Sequence, residues 1–222
     1  MRRKKFVYRH PRPMVTVDAV LFSVAGAKLR LLLVERGKPP FQGRWAFPGG
    51  FVEMDEDLPD AASRELEEET GLSGVALDFF GTYGTPGRDP RGRTISSVFF
   101  GIVPYDRTDV TAGDDADKAL WHPAGKPPPL AFDHDLILKD VKDHLKRQVL
   151  AGDGAFRFLP PRFQPEELRG VFEAVLRKRI SPAKFSAEMK RTGLIKDAPG
   201  GTKRLCKKTF NRLRKELAIF RF

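Results

Sequence analysis

The sequence contains a single cysteine, Cys206, so no disulfide can form within the chain, and its thiol usage suits a reducing cytoplasm. Nowhere do about 18 uncharged apolar residues follow one another, which argues against a membrane span. No segment repeats at a fixed period. The basic stretches lack the interleaved aromatic side chains that a base-stacking RNA surface uses, which weighs against an RNA-processing role. Residues 1–12 are basic and residues 14–27 largely apolar, ending in Ala25-Gly26-Ala27, an outline shared with secretory leaders. Asp18 interrupts that run, however, and the apolar pattern resumes at once from Leu29. Two strands joined through Ala25-Gly26-Ala27 account better for both halves.

What is present is enough apolar material for a real core: 41% of the 222 residues are hydrophobic, 18 of them Phe. The length fits one or two domains. The net charge of +11 is unevenly spread. Residues 1–13 hold 6 Lys/Arg and no acid, and residues 151–222 hold 18 Lys/Arg against 7 Asp/Glu. Residues 14–150 are acidic, with 16 against 22. An acidic module between basic flanks suits cations in the middle and phosphate backbones at the ends; solubility alone would also explain basic flanks.

Residues 15–22 and 29–34 read as a hairpin. Pro and Gly punctuate residues 37–50 into a loop around a short strand. A helix is expected from about Pro59 to Thr70, with Pro59 and Asp60 suited to its first turn and Gly71 to its end. Strands follow at 76–83 and 94–103, and a helix at 130–150, where Ile137, Val141 and Leu145 lie four apart. The break at residues 151–154 and Pro160-Pro161 place a domain boundary after residue 150. Beyond it, amphipathic residues 165–178 and the start signal Ser181-Pro182 predict two short helices. A strand at Leu194-Ile195, a basic turn region over 198–208 and a closing strand over 217–222 complete the outline of a winged helix-turn-helix.

The chemistry concentrates between Gly50 and Leu72. Glu65, Glu68 and Glu69 stand at i, i+3 and i+4, so a helix brings their carboxylates to one face. Like charges so close raise one another's pKa values unless a cation joins them. An oxygen-only set of this charge favours Mg²⁺ or Mn²⁺, which reach for substrate phosphates and activate water. Arg64 can hold one carboxylate in a bidentate pair, and Gly49-Gly50 allows backbone to approach an ion. A solvated acidic helix face is the alternative, but no Lys or Arg follows any of these glutamates at i+4.

Gly50, Glu56 and the run Arg64-Glu65-Leu66-Glu67-Glu68-Glu69-Thr70-Gly71-Leu72 match the Nudix signature at every defined position. Further stretches resemble the Nudix-related transcriptional regulators of NAD metabolism and their ADP-ribose-hydrolysing relatives. They are residues 39–45, Gly87-Arg88-Asp89-Pro90-Arg91-Gly92-Arg93, Ala112-Gly113-Asp114-Asp115-Ala116, residues 130–135, residues 158–168 and Phe220-Arg221-Phe222. The resemblance implies an α/β fold: a Nudix α/β/α sandwich with a mixed β-sheet, followed by a small winged helix-turn-helix domain. The corresponding divisions are a basic tail (1–13), a Nudix domain (14–150) and a winged-helix-like domain (151–222).

The resemblance also implies an ADP-ribose-like nucleoside diphosphate ligand, double-stranded DNA as a partner of the C-terminal domain, and a homodimer. Metal-ligand candidates are Glu65, Glu68, Glu69 and the backbone of Gly50. Catalytic candidates are Glu65, Glu68 and Arg64, and substrate-binding candidates are Arg44, Arg88, Arg91 and Arg93. The last three also fit a tight Pro-Gly turn with solvated arginines. DNA-binding candidates are Lys184, Lys190, Arg191, Lys203, Arg204, Lys207 and Lys208. Two departures stand out. The stretch from Lys184 to Arg191 has fewer basic positions than the family's and contains Glu188, whereas residues 200–215 are longer and more basic. Phosphate contacts of that kind bind DNA strongly but specify little. Two readings of the whole chain follow: a metal-dependent hydrolase of ADP-ribose or a similar compound, or a non-catalytic repressor that senses ADP-ribose. Asp133-His134-Asp135 fits the opening of a helix, with His134 a packing or hydrogen-bonding residue.

Overall fold

Strands β1 (Met14–Ala25), β2 (Lys28–Arg36), β3 (Trp45–Ala46), β4 (Leu77–Tyr83), β5 (Thr94–Ile102) and β6 (Ala116–Pro123) form one mixed sheet. The computed structural model describes residues 8–111, 116–151, 153–213 and 220. The hairpin expected from Ala25-Gly26-Ala27 is present, pairing Phe22 with Leu31 and Ala25 with Lys28. Strand β5 runs parallel to β1 from Met14↔Thr94 to Phe22↔Ile102, and β4 is antiparallel to β5. Strand β6, which sequence patterning missed, lies antiparallel to β2 along its length.

Nearly every residue of β1 is buried, because both sheet faces are covered. Helix α1 (Leu58–Thr70) covers one face through Ala61, Ala62 and Leu66. Asp57 caps it by accepting from the Leu58 N–H, and Gly71 ends it with a left-handed φ of 73°. Helix α2 (His134–Ala151) covers the other face through Ile137, Val141, Leu145 and Val149. Each such fully buried side chain contributes about 1.5–3 kcal/mol. Helix α2 starts at His134 rather than at residue 130, because Leu130 bridges to Trp45 and the Ala131 N–H donates to the Trp45 carbonyl at 2.8 Å.

The C-terminal segment packs on that second face. It contains α3 (Pro165–Leu176), α4 (Pro182–Thr192), the hairpin β7 (Ile195–Asp197) and β8 (Lys203–Leu205), and α5 (Lys207–Leu213). Phe158, Phe172, Phe185 and Phe220 belong to the same apolar cluster as Phe22, Phe100 and helix α2. Polar ties also join the two parts: Tyr105 donates to Glu167 at 2.8 Å and Arg157 to Asp78 at 2.8 Å. The hairpin is shorter than expected. Its return strand is β8, held between Ile195↔Leu205 pairing and a Phe163↔Lys203 bridge, so the basic run after Cys206 turns into a helix. The expected closing strand lies mostly outside the described residues, as do Arg214, Lys215, residues 112–115 and the first seven residues of the basic tail.

Two features of this scaffold bear on the site. Residues 48–52 lie along β1, with Ala19 N–H to the Pro48 carbonyl at 2.8 Å, Val17 N–H to Gly50 at 2.9 Å and Val52 N–H to Val15 at 3.1 Å. A Cβ on Gly49 would overlap the Val17 carbonyl oxygen. Beneath the loop, the buried His134 ring stacks on Phe47 at 4.4 Å and its Nδ1 accepts from the Phe47 N–H at 3.1 Å. The other nitrogen, Nε2, therefore carries the proton and faces Asp18 Oδ1 at 3.5 Å. His134 is a packing and hydrogen-bonding residue, as its sequence setting suggests.

Gly49→Ala should lower stability by about 1–3 kcal/mol, measured by urea denaturation; an unchanged midpoint would show that the loop can move off β1. A second test uses pH. Burial pushes His134 below its ordinary value of 6.5, so the unfolded chain binds the proton more readily. Its contribution to stability should be complete above about pH 6.5 and decline as pH falls below it. His134→Asn should flatten that part of the stability–pH curve, and an unaltered curve would contradict a buried neutral imidazole.

Candidate active site

Helix α1 presents Glu65, Glu68 and Glu69 toward the Gly49-Gly50 loop, the geometry that their spacing predicts. Glu69 accepts from the Gly49 N–H at 2.9 Å. Burial raises its pKa to about 8, against the effect of that amide, and nearby Glu65 and Asp18 add to the rise. Burial likewise raises Glu65, with Arg64 opposing it. Gly50 matters by its missing side chain, since a Cβ there would overlap the Glu65 carboxylate.

Arg64 organises the rest of the cluster. Its guanidinium grips Glu56 with two hydrogen bonds of 3.0 and 2.7 Å, and reaches Glu65 at 2.9 Å, Glu68 at 3.0 Å and the Phe51 carbonyl at 3.2 Å. This hydrogen bonding holds the Glu56 carboxyl down at about 2 and raises Arg64 well above its ordinary value. Among the described residues no three acid, imidazole or thiol groups stand ready-made around a metal position. The donor set nevertheless fits a hard divalent cation. Glu65 and Glu69 are partly buried carboxylates whose ionisation burial disfavours, with Glu65 adding to the cost at Glu69 and Glu68 to that at Glu65, and a cation among them offsets both burial and repulsion.

The glutamates line one wall of a cavity of about 680 Å³, a size typical of small-ligand sites. Of the four arginines expected to bind substrate, Arg88 and Arg91 reach this cavity. Arg88 is nearly buried and forms a bidentate pair with Asp133 at 2.9 and 2.7 Å, so it anchors the loop to the start of α2. Arg91 pairs with buried Asp89 at 2.6 Å and sits 4.9 Å from the Phe51 ring centre and 5.5 Å from that of Phe132. Arg44 points elsewhere, to the Leu130 carbonyl at 3.5 Å and the Phe41 ring, and Arg93 bonds to the Gly84 carbonyl. Neither lines the cavity.

Sequence reading missed Arg36, at the end of β2. Its Nε donates to the Pro40 carbonyl at 2.8 Å and its guanidinium lies 4.9 Å from the Phe132 ring centre. Burial lowers its pKa, and the neighbouring Arg91 charge adds to that. Two guanidinia thus meet one aromatic ring at the cavity wall, an arrangement able to receive an anion beside a stacked ring. A charge closing an apolar strand was the available signal.

The DNA-binding candidates occupy the far end of the chain. Lys184 and Lys190 are exposed on α4, and Arg204, Lys207 and Lys208 are exposed on β8 and the start of α5. Arg191 pairs with Glu188 at 2.7 Å, and Lys203 pairs with Asp197.

Comparison with known proteins agrees with this geometry. The NUDIX domain model matches residues 12–141. An ADP-ribose pyrophosphatase of Methanocaldococcus jannaschii is 41% identical over 138 residues, covering 62% of this chain and 77% of the relative. The ADPR responsive transcriptional repressor NtrR of Acinetobacter baylyi is 29% identical over 192 residues, covering 85% and 76%. The crystal structure of Shewanella oneidensis NrtR complexed with a 27mer DNA superposes with a TM-score of 0.72 at 29% identity, covering 89% of this chain and 95% of the other. That similarity runs through the C-terminal segment as well as the sheet. Because the domain match spans more than half of the chain and includes both the glutamate helix and the glycine loop, the protein belongs to the Nudix hydrolase family.

Proposed function

We propose that the chain hydrolyses the diphosphate of ADP-ribose, or of a similar nucleoside diphosphate derivative, with Mg²⁺ or Mn²⁺. The observation that carries this is the convergence of the α1 glutamates, the Gly49-Gly50 backbone and the Arg36–Phe132–Arg91 cluster on one cavity. The named activity of the Methanocaldococcus relative supports the choice of substrate. Glu68 and Glu69 serve as principal metal ligands with the Gly50 backbone, and Glu65 as a further ligand or as the base. When bound, the metal neutralises diphosphate charge and acidifies water. Arg64 keeps Glu56, Glu65 and Glu68 in place through its fork. Arg36 and Arg91 bind diphosphate oxygens, while Phe51 and Phe132 cover the uncharged parts of the ligand. Arg88 acts from behind, by fixing the loop that carries Arg91.

A second activity is supported by the exposed basic side chains of the C-terminal segment. Helices α3 and α4 with the β7–β8 hairpin make a winged-helix-like domain (residues 151–222) that binds double-stranded DNA as a homodimer, whose two-fold symmetry suits palindromic sites. The Acinetobacter relative is a transcriptional repressor and the Shewanella protein is seen in complex with DNA, which favours this reading. Should turnover be absent while ADP-ribose still binds, the chain is instead a ligand-sensing repressor.

Turnover of ADP-ribose to AMP and ribose phosphate should depend on added Mg²⁺, and Glu68→Gln should lower kcat by on the order of a hundredfold or more. Normal turnover in that variant would sink the metal assignment. For DNA, Lys207→Ala with Lys208→Ala should weaken binding and reduce the slope of log K against log salt by about one per side chain. A slope that stays unchanged places the DNA surface elsewhere.

A further inference from the structure

A second cavity, of about 730 Å³, lies where the β1–β2 turn, the end of β6 and helices α2 and α3 meet. It shares no lining residue with the active-site cavity. Its floor is apolar, made by Leu29, Ala124, Leu138 and Val175 among others. Its rim is cationic. Lys142 donates to the Ala124 carbonyl at 3.0 Å, and the Arg177 guanidinium stands over the adjacent Gly125. Arg177 is held there by its place at the left-handed cap of α3, with φ of 53°.

Of the three acids that line this cavity, Asp135, Asp143 and Glu173, the last two are committed. Asp143 pairs with Lys146 at 3.1 Å, and Glu173 accepts from Arg169 at 3.0 Å and from the Ile180 N–H at 2.7 Å. Among the described residues Lys142 and Arg177 have no carboxylate within ion-pair distance, and Lys28 and Lys139 add further positive charge at the rim. Two cations held over consecutive residues repel one another, and Lys142 lies below its ordinary pKa through burial first and Arg177 next. An anion between them removes that penalty.

We propose that this cavity is a second ligand site, which takes a small phosphomonoester with its phosphate between Lys142 and Arg177 and its uncharged part on the apolar floor. The ligand touches α2 and α3 at once, so binding stiffens the junction between the sheet and the C-terminal segment. Phenyl phosphate, which has no diphosphate to cleave, is the probe. Titrated into the full chain by NMR or calorimetry, it should bind saturably at one site, and metal-free ADP-ribose should not displace it. Lys142→Gln with Arg177→Gln should weaken it at least about tenfold, while Arg177→Lys, which keeps the charge, retains most of the affinity. Hydrogen exchange in α2 and α3 should slow when the probe is bound. No saturable binding, equal affinity in the double variant, or binding that is lost instead in Arg91→Ala would each overturn the proposal.

Discussion

The backbone of residues 48–52 lies within hydrogen-bonding reach of β1, and the rest of the site depends on this. The approach is possible only because position 49 has no side chain to meet the Val17 carbonyl. With the loop held there, the Gly49 N–H points at Glu69, and the gap left by Gly50 accommodates Glu65. Helix α1 is positioned from the other side by Ala61, Ala62 and Leu66 against the sheet. Small residues against β1 on both the loop and the helix are thus what bring three carboxylates next to the Gly49-Gly50 backbone.

Charge is arranged in two layers around the active-site cavity. At the buried end of the cavity, the charges are satisfied internally: Arg88 with Asp133, and neutral His134 between Phe47 and Asp18. Such pairs fix orientation, because a buried charge left without its partner costs several kcal/mol. Facing the cavity, Arg36 and Arg91 both lie near the Phe132 ring, Arg91 also holding Asp89, and Glu65 and Glu68 share the Arg64 guanidinium.

Much of this was legible in the residues. The i, i+3, i+4 spacing, Pro59 and Gly71 placed the glutamates on one helix face, and Ala25-Gly26-Ala27 placed the hairpin. Period and spacing describe one element at a time, however, and what they missed comes from contacts between elements. Arg36 reads as an ordinary charge at a strand end until Phe132 is beside it. Arg88, Arg91 and Arg93 are equivalent in a Gly-Pro loop, yet Asp133, Asp89 and the Gly84 carbonyl give them three different orientations. Residues 198–208 read as a basic turn region, yet a helix begins at Lys207. That helix follows the anchoring of Cys206, whose N–H donates to the Leu194 carbonyl at 2.6 Å.

The apolar cluster that joins Phe22 and Phe100 to Phe172, Phe185 and Phe220 makes the two ends of the chain thermodynamic partners. A core held in common loosens on both sides together, so free energy gained at either end by binding a ligand stabilises the whole folded state. The two parts are thereby held by one interior rather than by a linker alone.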